Sequence, residues 1–401
     1  MCTWASTIFI GGFLRGTAAA AWLAGRRRRT VASAGEQGEG TIVATGKVLI
    51  AGALGIVGRA VLEHYEALPG WDIVALSRRA PDFPTRARFV SADLRDAADC
   101  RVKLGELRDV THIVYCALYE KPELGKGWLE SDQIATNAAM LANLMDAVEP
   151  NNPGLRHVAL MQGTKAYGVH LGQMPIPGKE SAPRHIHPNF YWAQEDFIRA
   201  RQASGAGWTW TVLRPQAVIG YAAGSAMNLL AAMGAYAAIS RELGLPLIWP
   251  GSGTRLTEAT DARLLARAIA WAGGSPAAAN EIFNVTNGDV FDWQSLFPVL
   301  ARVFGMEIGA PHPMSLVAIM ADKAPVWRRI VERYGLAAPD LDAMIGTSWQ
   351  FADFAFSRPG QTASILSTIK IRQAGFGDCV DSAEMLEWWL RELQRRRILP
   401  P

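Results

Sequence analysis

Short apolar strands alternating with helical segments, a glycine triplet between the first strand and the first helix, and a later shift to Ala-rich and aromatic helices together predict an α/β fold. The architecture expected is a Rossmann-type doubly wound parallel sheet, followed by a smaller, mostly helical C-terminal region. Lys47 to Ala51 (KVLIA) reads as a buried strand that ends at glycines, and Ile56 to Tyr65 as the helix behind it. Strands follow at Trp71 to Ser77, Ala87 to Ala92 and His112 to Ala117, the last preceded by a short helical segment. Ala135 to Val148 has apolar residues at helical spacing, and His157 to Gln162 and Trp208 to Leu213 supply two more strands. Strand, helix, strand at this rhythm means parallel pairing through right-handed crossovers.

After about Ile219 the rhythm changes. Met227 to Ile239 reads as a long apolar helix, Leu245 to Pro250 as a short strand-like run, and Asp261 to Ala272 as another helix. Phe283 to Val285 is the last expected strand, before a helical tail that closes with Ser382 to Arg397. The expected division is therefore an extension at 1–46, a Rossmann core at 47–220, and a region at 221–401 that completes the sheet and builds the pocket or lid.

The chain has 401 residues and a formal charge of +3. Residues 1–46 carry five arginines against two glutamates, so the excess sits there and the rest of the chain is neutral. A neutral body without a basic stripe argues against nucleic acid as a partner. The apolar start is broken by Arg15 and followed by Arg26 to Arg29, the reverse of a secretory signal, and it offers no clean run to span a bilayer. A disordered or targeting extension is expected, with a cytoplasmic core and an organellar or membrane-associated alternative left open. Cys2, Cys100, Cys116 and Cys379 are scattered, without CxxC spacing, and are read as buried bystanders in a reducing compartment. No cluster resembles a metal site.

Gly52, Leu54, Gly55, Ile56, Val57 and Gly58 form a GxxGxxG turn in the context a dinucleotide fingerprint needs: a strand before it, a helix after it, and a helix N-terminus free to face a diphosphate. The end of the second strand reads Ser77-Arg78-Arg79. An acid there would hold ribose hydroxyls, whereas arginines grip a 2′-phosphate, so NADPH is the expected cofactor. Asp93 and Leu94 after the third strand are placed against the adenine. Asn189 to Asp196 opens a helix, but Glu195 occupies the place four residues after Tyr191 where short-chain dehydrogenases carry Lys. Lys165, after the fifth strand, is positioned to reach the same pocket from the other side and support Tyr191.

These residues resemble the progesterone 5β-reductase/iridoid synthase-like (PRISE) branch of atypical extended short-chain dehydrogenases/reductases. The likeness runs through Gly52 to Gly58, Ser77 to Arg79, Asp109 to Ile113, Gln162 to Tyr167, Asn189 to Asp196, Arg214-Pro215, Ala226 to Leu229 and Asn284 to Asp289. It implies 1,4-reduction of a small hydrophobic enone or enal, with Tyr191 and Lys165 as catalytic residues. It also implies that Ala117, Gln162 and Ile219 join the cofactor site. The sequence departs from the plant pattern at Trp192 and at Gly163-Thr164.

Substrate contacts are expected from Tyr119, Tyr167, Met227 and Asn228, with further walls from Tyr115 to Tyr119 and from the tail around Met320, Trp327 and Trp349. A carbonyl reductase, an epimerase/dehydratase-like enzyme on the same fold and a non-catalytic NADP-binding sensor are the alternatives. Retention of Tyr191 and Lys165 weighs against the sensor. A homodimer is compatible with the sequence but not required by it.

Overall fold

The computed structural model describes residues 45–357 and 360–401, so the arginine-rich extension and Cys2 lie outside the described residues. The chain begins β1 (Gly46–Ala51), α1 (Ile56–Ala67), β2 (Trp71–Ser77), β3 (Arg88–Ser91), α2 (Ala97–Leu104) and β4 (His112–Tyr115). A single helical turn, α3 (Leu124–Gly127), leads to α4 (Ser131–Val148), β5 (His157–Met161), α5 (Phe190–Ala203), β6 (Thr209–Pro215) and β7 (Ala217–Ile219). Then come α6 (Leu229–Glu242), β8 (Ala259–Asp261), α7 (Ala262–Gly274), β9 (Glu281–Val285) and α8 (Phe297–Phe304). The tail holds α9 (Leu316–Met320), α10 (Ala324–Tyr334), α11 (Leu341–Ile345), α12 (Ser348–Ser357), α13 (Ile369–Gln373) and α14 (Ser382–Arg395).

Seven strands form one parallel sheet in the order β3-β2-β1-β4-β5-β6-β9, the last drawn from the C-terminal half of the chain. Both faces are covered, as a parallel sheet requires. Val48 and Ile50 of β1 pack into the apolar cluster that holds α1, α6 and α7, while Leu49 and Ala51 pack into the one that holds α2 and α4. Alternate residues of the same strand thus enter opposite layers, and KVLIA is apolar at every inward position on both sides. Among the described residues no helix is long and apolar enough to cross a membrane.

Two local expectations need correction. Leu245 to Pro250 is not a strand: Leu247 makes one isolated bridge to Ile308, and the segment is otherwise tied by single backbone bonds such as His312 N–H to the Trp249 carbonyl. Pro246 and Pro250 remove two donors that a ladder would need. Two short parallel strands, β7 and β8, were not anticipated, because three residues carry too little alternation to stand out.

Where β1 and β4 lie side by side the strand order reverses, leaving a crevice at their C-terminal ends. Gly52 sits in that crevice at φ +82°, and a Cβ there would lie 2.8 Å from the backbone of Ala117. Gly52→Ala therefore forces both an unfavourable left-handed backbone and a clash with the segment that follows β4. The expected cost is ~1–3 kcal/mol, read as a melting temperature several degrees lower together with weakened NADPH binding. An unchanged melting temperature would contradict this packing.

Glu258, directly before β8, accepts bonds from the Leu366 N–H at 2.7 Å and the Thr286 hydroxyl at 3.2 Å. Burial pushes its carboxyl up to about 7 against those bonds. The folded state thus holds this proton more tightly than the unfolded chain, so stability from this group is complete below about pH 4.5 and lost as pH rises toward 7. Glu258→Gln should remove that loss. Thermal melts at pH 4.5 and pH 8 are expected to show the variant gaining on the wild type at the higher pH, and equal differences at both would refute the assignment.

Candidate active site

A cavity of about 770 Å³ opens at the crevice between β1 and β4. Its floor is the glycine turn, with Gly52, Leu54, Gly55, Ile56 and Val57 all on the wall. A Cβ on Gly58 would lie 2.1 Å from the Gly52 carbonyl oxygen, so the turn and the first turn of α1 are in backbone contact. Gly55, the residue before α1, offers no side-chain cap, which leaves the first N–H groups of the helix directed at the cavity. Bare helical N–H groups at the end of a β1–glycine turn suit a diphosphate. The donor set therefore fits a dinucleotide.

Ser77, Arg78 and Arg79 line one end of the same cavity, with Asp93, Leu94 and Arg95 across from them. Arg79 donates to the Ala223 carbonyl at 2.6 Å, which pins it to the loop before α6. Arg78 donates no side-chain hydrogen bond among the described residues. Asp93 is paired with Arg95 at 2.6 Å, and that hydrogen bond holds its carboxyl down at about 2. Ala117 and Gln162 also lie on the wall.

Lys165 and Tyr191 are brought together by one asparagine. Lys165 stands on a 3-10 turn, Thr164–Tyr167, directly after β5. The Asn189 amide donates to the Lys165 carbonyl at 3.2 Å, while its oxygen accepts the Tyr191 N–H at 3.0 Å and caps α5. The His185 ring bonds the same Lys165 carbonyl at 3.0 Å. The Tyr191 hydroxyl lies against Gly163, 3.4 Å from where a Cβ would stand. Burial pushes its phenol well above the usual range, Glu120 pushes the same way, and Arg214 pulls back.

Glu195, in the place of the usual Lys, is buried and paired with Arg214 at 3.2 Å. Arg214 Nε also donates to Gln162 at 2.8 Å, and Gln162 in turn donates to the Tyr191 carbonyl at 3.2 Å. Gln162 thus steadies α5 from below.

Sequence reasoning missed Glu120. Its carboxylate lines the cavity and lies 3.3 Å from the Lys165 ammonium, which also stands 4.6 Å above the Trp128 ring. Trp128 Nε1 and Gln133 Nε2 both donate to the same carboxylate. A lone acid in a loop has no periodicity to mark it.

Several expected contacts lie elsewhere. Asn228 does not reach the cavity: it caps α6 by accepting from Ala231 and donates to the Ala222 carbonyl, and Ser225, Ala226 and Met227 form the wall instead. Tyr167 points away into a small cluster with Val169, Met174 and Leu366, its hydroxyl donating to Asn284 at 2.6 Å. Ile219 is fully buried in the core, and the wall comes from Ala217 and Val218 before it. Tyr119 is on the wall, but its ring lies 5.6 Å from the Arg95 guanidinium, toward the Asp93 end. Met320 and Trp327 are core residues, and Trp349 packs against that core. The tail reaches the cavity through Phe351, Phe354 and Ala355 of α12, joined by Trp293. Cys116 lines the cavity and Cys379 is exposed, so only Cys100 keeps the buried bystander reading among the described cysteines. No group of three His, Cys, Asp or Glu among the described residues is placed to hold a metal ion.

Comparison with known proteins decides the family. The PRISE-like Rossmann-fold domain matches residues 90–357. The chain belongs to the PRISE family. An (S)-8-oxocitronellyl enol synthase from Nepeta cataria is 32% identical over 372 residues, covering 88% of this chain and 92% of that one. A 3-oxo-Δ(4,5)-steroid 5-β-reductase from Arabidopsis thaliana is 33% identical over the same length and shares. This PRISE protein also shares its fold with a Thermus thermophilus UDP-glucose 4-epimerase solved with NAD, at a TM-score of 0.59 and 18% identity over 87% of this chain and 99% of the other. The Pseudomonas aeruginosa protein RMD, solved with NADPH, gives 0.59 and 17% over 88% and 100%. Its curated relatives are named as enol synthases and a steroid reductase, and this PRISE chain is an oxidoreductase.

Arg78 and Arg79 supply the test of the phosphate end. Replacing both with Ala should weaken NADPH binding ten- to a hundred-fold more than NADH binding, about the worth of one to two charge-assisted hydrogen bonds. Arg78→Ala alone should account for most of it, since Arg79 is already bonded to Ala223. Titration with both cofactors checks this, and equal losses would remove the pair from phosphate recognition.

Proposed function

We propose that this enzyme uses NADPH to reduce the activated carbon–carbon double bond of small hydrophobic enones and enals, with Tyr191 holding the substrate carbonyl and Lys165 the cofactor ribose. The observation that carries the reading is the joint placement of Tyr191 and Lys165 on the wall of one cavity, bracketed by Asn189, in a chain whose relatives are an enol synthase and a steroid 5-β-reductase.

When bound, NADPH supplies a hydride. The glycine turn and the bare N–H groups of α1 would hold its diphosphate, Arg78 and Arg79 its 2′-phosphate, and Asp93 with Leu94 would flank its adenine. Lys165, with its backbone fixed from two sides, orients the ribose. Where charge builds on the substrate's carbonyl oxygen, the Tyr191 hydroxyl would donate to that oxygen. Because burial keeps the phenol protonated far above neutral pH, the donor is present throughout the working range. Trp128, Phe190, Met227, Trp293, Phe351 and Phe354 give the rest of the wall an apolar, aromatic surface that excludes water and suits a flat conjugated substrate.

Tyr191→Phe deletes only the donor. Fold and NADPH affinity should survive while turnover falls roughly a hundred- to a thousand-fold, the usual worth of one oxyanion donor. Lys165→Met should lower turnover and weaken NADPH binding together. With deuterium-labelled NADPH the label should appear on the β-carbon of the product. Label on the carbonyl carbon would make the enzyme a carbonyl reductase, and full activity in Tyr191→Phe would take Tyr191 out of the mechanism.

A further inference from the structure

An unpaired lysine close to a phenol draws it toward the anion. The arrangement here differs. Lys165 has moved off the Tyr helix, and its ammonium lies 3.3 Å from a carboxylate, Glu120, whose side chain is only 5% exposed. That carboxylate is in turn fixed by Trp128 Nε1 at 3.1 Å and Gln133 Nε2 at 2.7 Å, and Gln133 is itself buried. Trp128 lies face-on to the ammonium at 4.6 Å, while the Tyr191 ring centroid is 5.9 Å from it. An acid, a cation and a donor-rich cage therefore share the wall that carries the phenol.

The charged and titratable groups facing Tyr191 can be named from every side. Glu120 comes from the loop after β4, and Lys165 from the turn after β5, with the His185 ring on the Lys165 carbonyl. Arg214 comes from β6 and is answered by Glu195 on the next turn of α5. Arg184 and Arg199 share the Glu195 carboxylate with Arg214, whereas Lys165 pairs with Glu120.

We propose that Glu120 is a positioning residue that withholds the Lys165 charge from Tyr191, so that the phenol serves as a hydrogen-bond donor and hydride addition is steered to the β-carbon. The inference rests on the enone-reductase reading above. Its chemistry follows from where the electron pair ends. Addition to the β-carbon sends two electrons through the π system to oxygen, and the charge is spread over an enolate, which a hydrogen bond satisfies; water later protonates the α-carbon. Addition to the carbonyl carbon puts the same two electrons on one oxygen as an alkoxide, which takes the Tyr191 proton outright and leaves tyrosinate to be reprotonated by water. A more acidic phenol favours the second course more than the first. Neutralising Lys165 keeps the phenol weakly acidic and so favours the first.

The test uses the full-length enzyme, an enal that offers both carbons, and deuterium-labelled NADPH. Glu120→Gln keeps the size and the acceptor for Trp128 but removes the charge. It should raise the fraction of product labelled at the carbonyl carbon on the order of tenfold, and move the alkaline limb of the kcat profile about one pH unit lower. Glu120→Asp should return both readouts toward wild type. Lys165→Met, which leaves Glu120 facing Tyr191 without its cation, should push the labelled fraction the other way, and it reports on the inference even where Glu120→Gln does not fold. An unchanged product ratio and unchanged alkaline limb in Glu120→Gln, with Tyr191→Phe still inactive, would overturn the role of Glu120 alone. Full activity in Tyr191→Phe would overturn the reading beneath it.

Discussion

Arg214 and Glu195 face each other across 3.2 Å of protein interior, both nearly sealed from water. Two charges taken out of water gain little net stability from each other, but losing one partner leaves the other stranded at a cost of several kcal/mol. What the pair fixes is geometry. Arg214 ends β6 and also reaches Gln162 at the end of β5, and Gln162 holds the carbonyl of Tyr191. Through Glu195 and Gln162 the first two turns of α5 are bound to two sheet strands. The direction of the Tyr191 side chain thus follows from a buried charge pair behind it. The same pair explains how the Tyr191 helix tolerates an acid at position 195: the acid has an interior partner.

Lys165 stands on the turn after β5 rather than on the Tyr191 helix, and Asn189 links the two backbones. Lys165 and Tyr191 are 26 positions apart in sequence, yet one amide bonds the carbonyl of the first and the N–H of the second. The cofactor side is organised by a different constraint, the close approach of Gly52 to Ala117 where the strand order reverses. The two constraints meet along the cavity wall, which runs without a break from the glycine turn to the aromatic residues of α12.

The sheet was legible in the sequence because its strands are buried on both faces and bounded by glycines, so short apolar runs such as KVLIA and WDIVALS mark themselves. The glycine turn, Arg78 with Arg79, Lys165 and Tyr191 were legible because each is a residue type out of keeping with its surroundings. What the sequence hid were residues whose role depends on distant partners. Asn228 reads as a polar group at the edge of an apolar helix, and only the fold shows it spent on capping that helix. Tyr167, two residues from Lys165, turns the opposite way because a 3-10 turn separates their directions. Met320 and Trp327 are apolar at helical spacing, a pattern that core and pocket share. Glu120 could be found only once α4 and the turn after β5 were seen to converge on it.

Cys116 sets a final chemical condition. It sits at the end of β4, on the wall of a cavity proposed to receive conjugated carbonyl compounds. Such compounds are electrophiles at the β-carbon, and a thiolate is the side chain that attacks them most readily. Burial pushes the Cys116 thiol far above its ordinary range, so the reactive anion is scarce beside the substrate. The same burial that raises the Tyr191 phenol raises this thiol, so both groups hold their protons beside the proposed substrate.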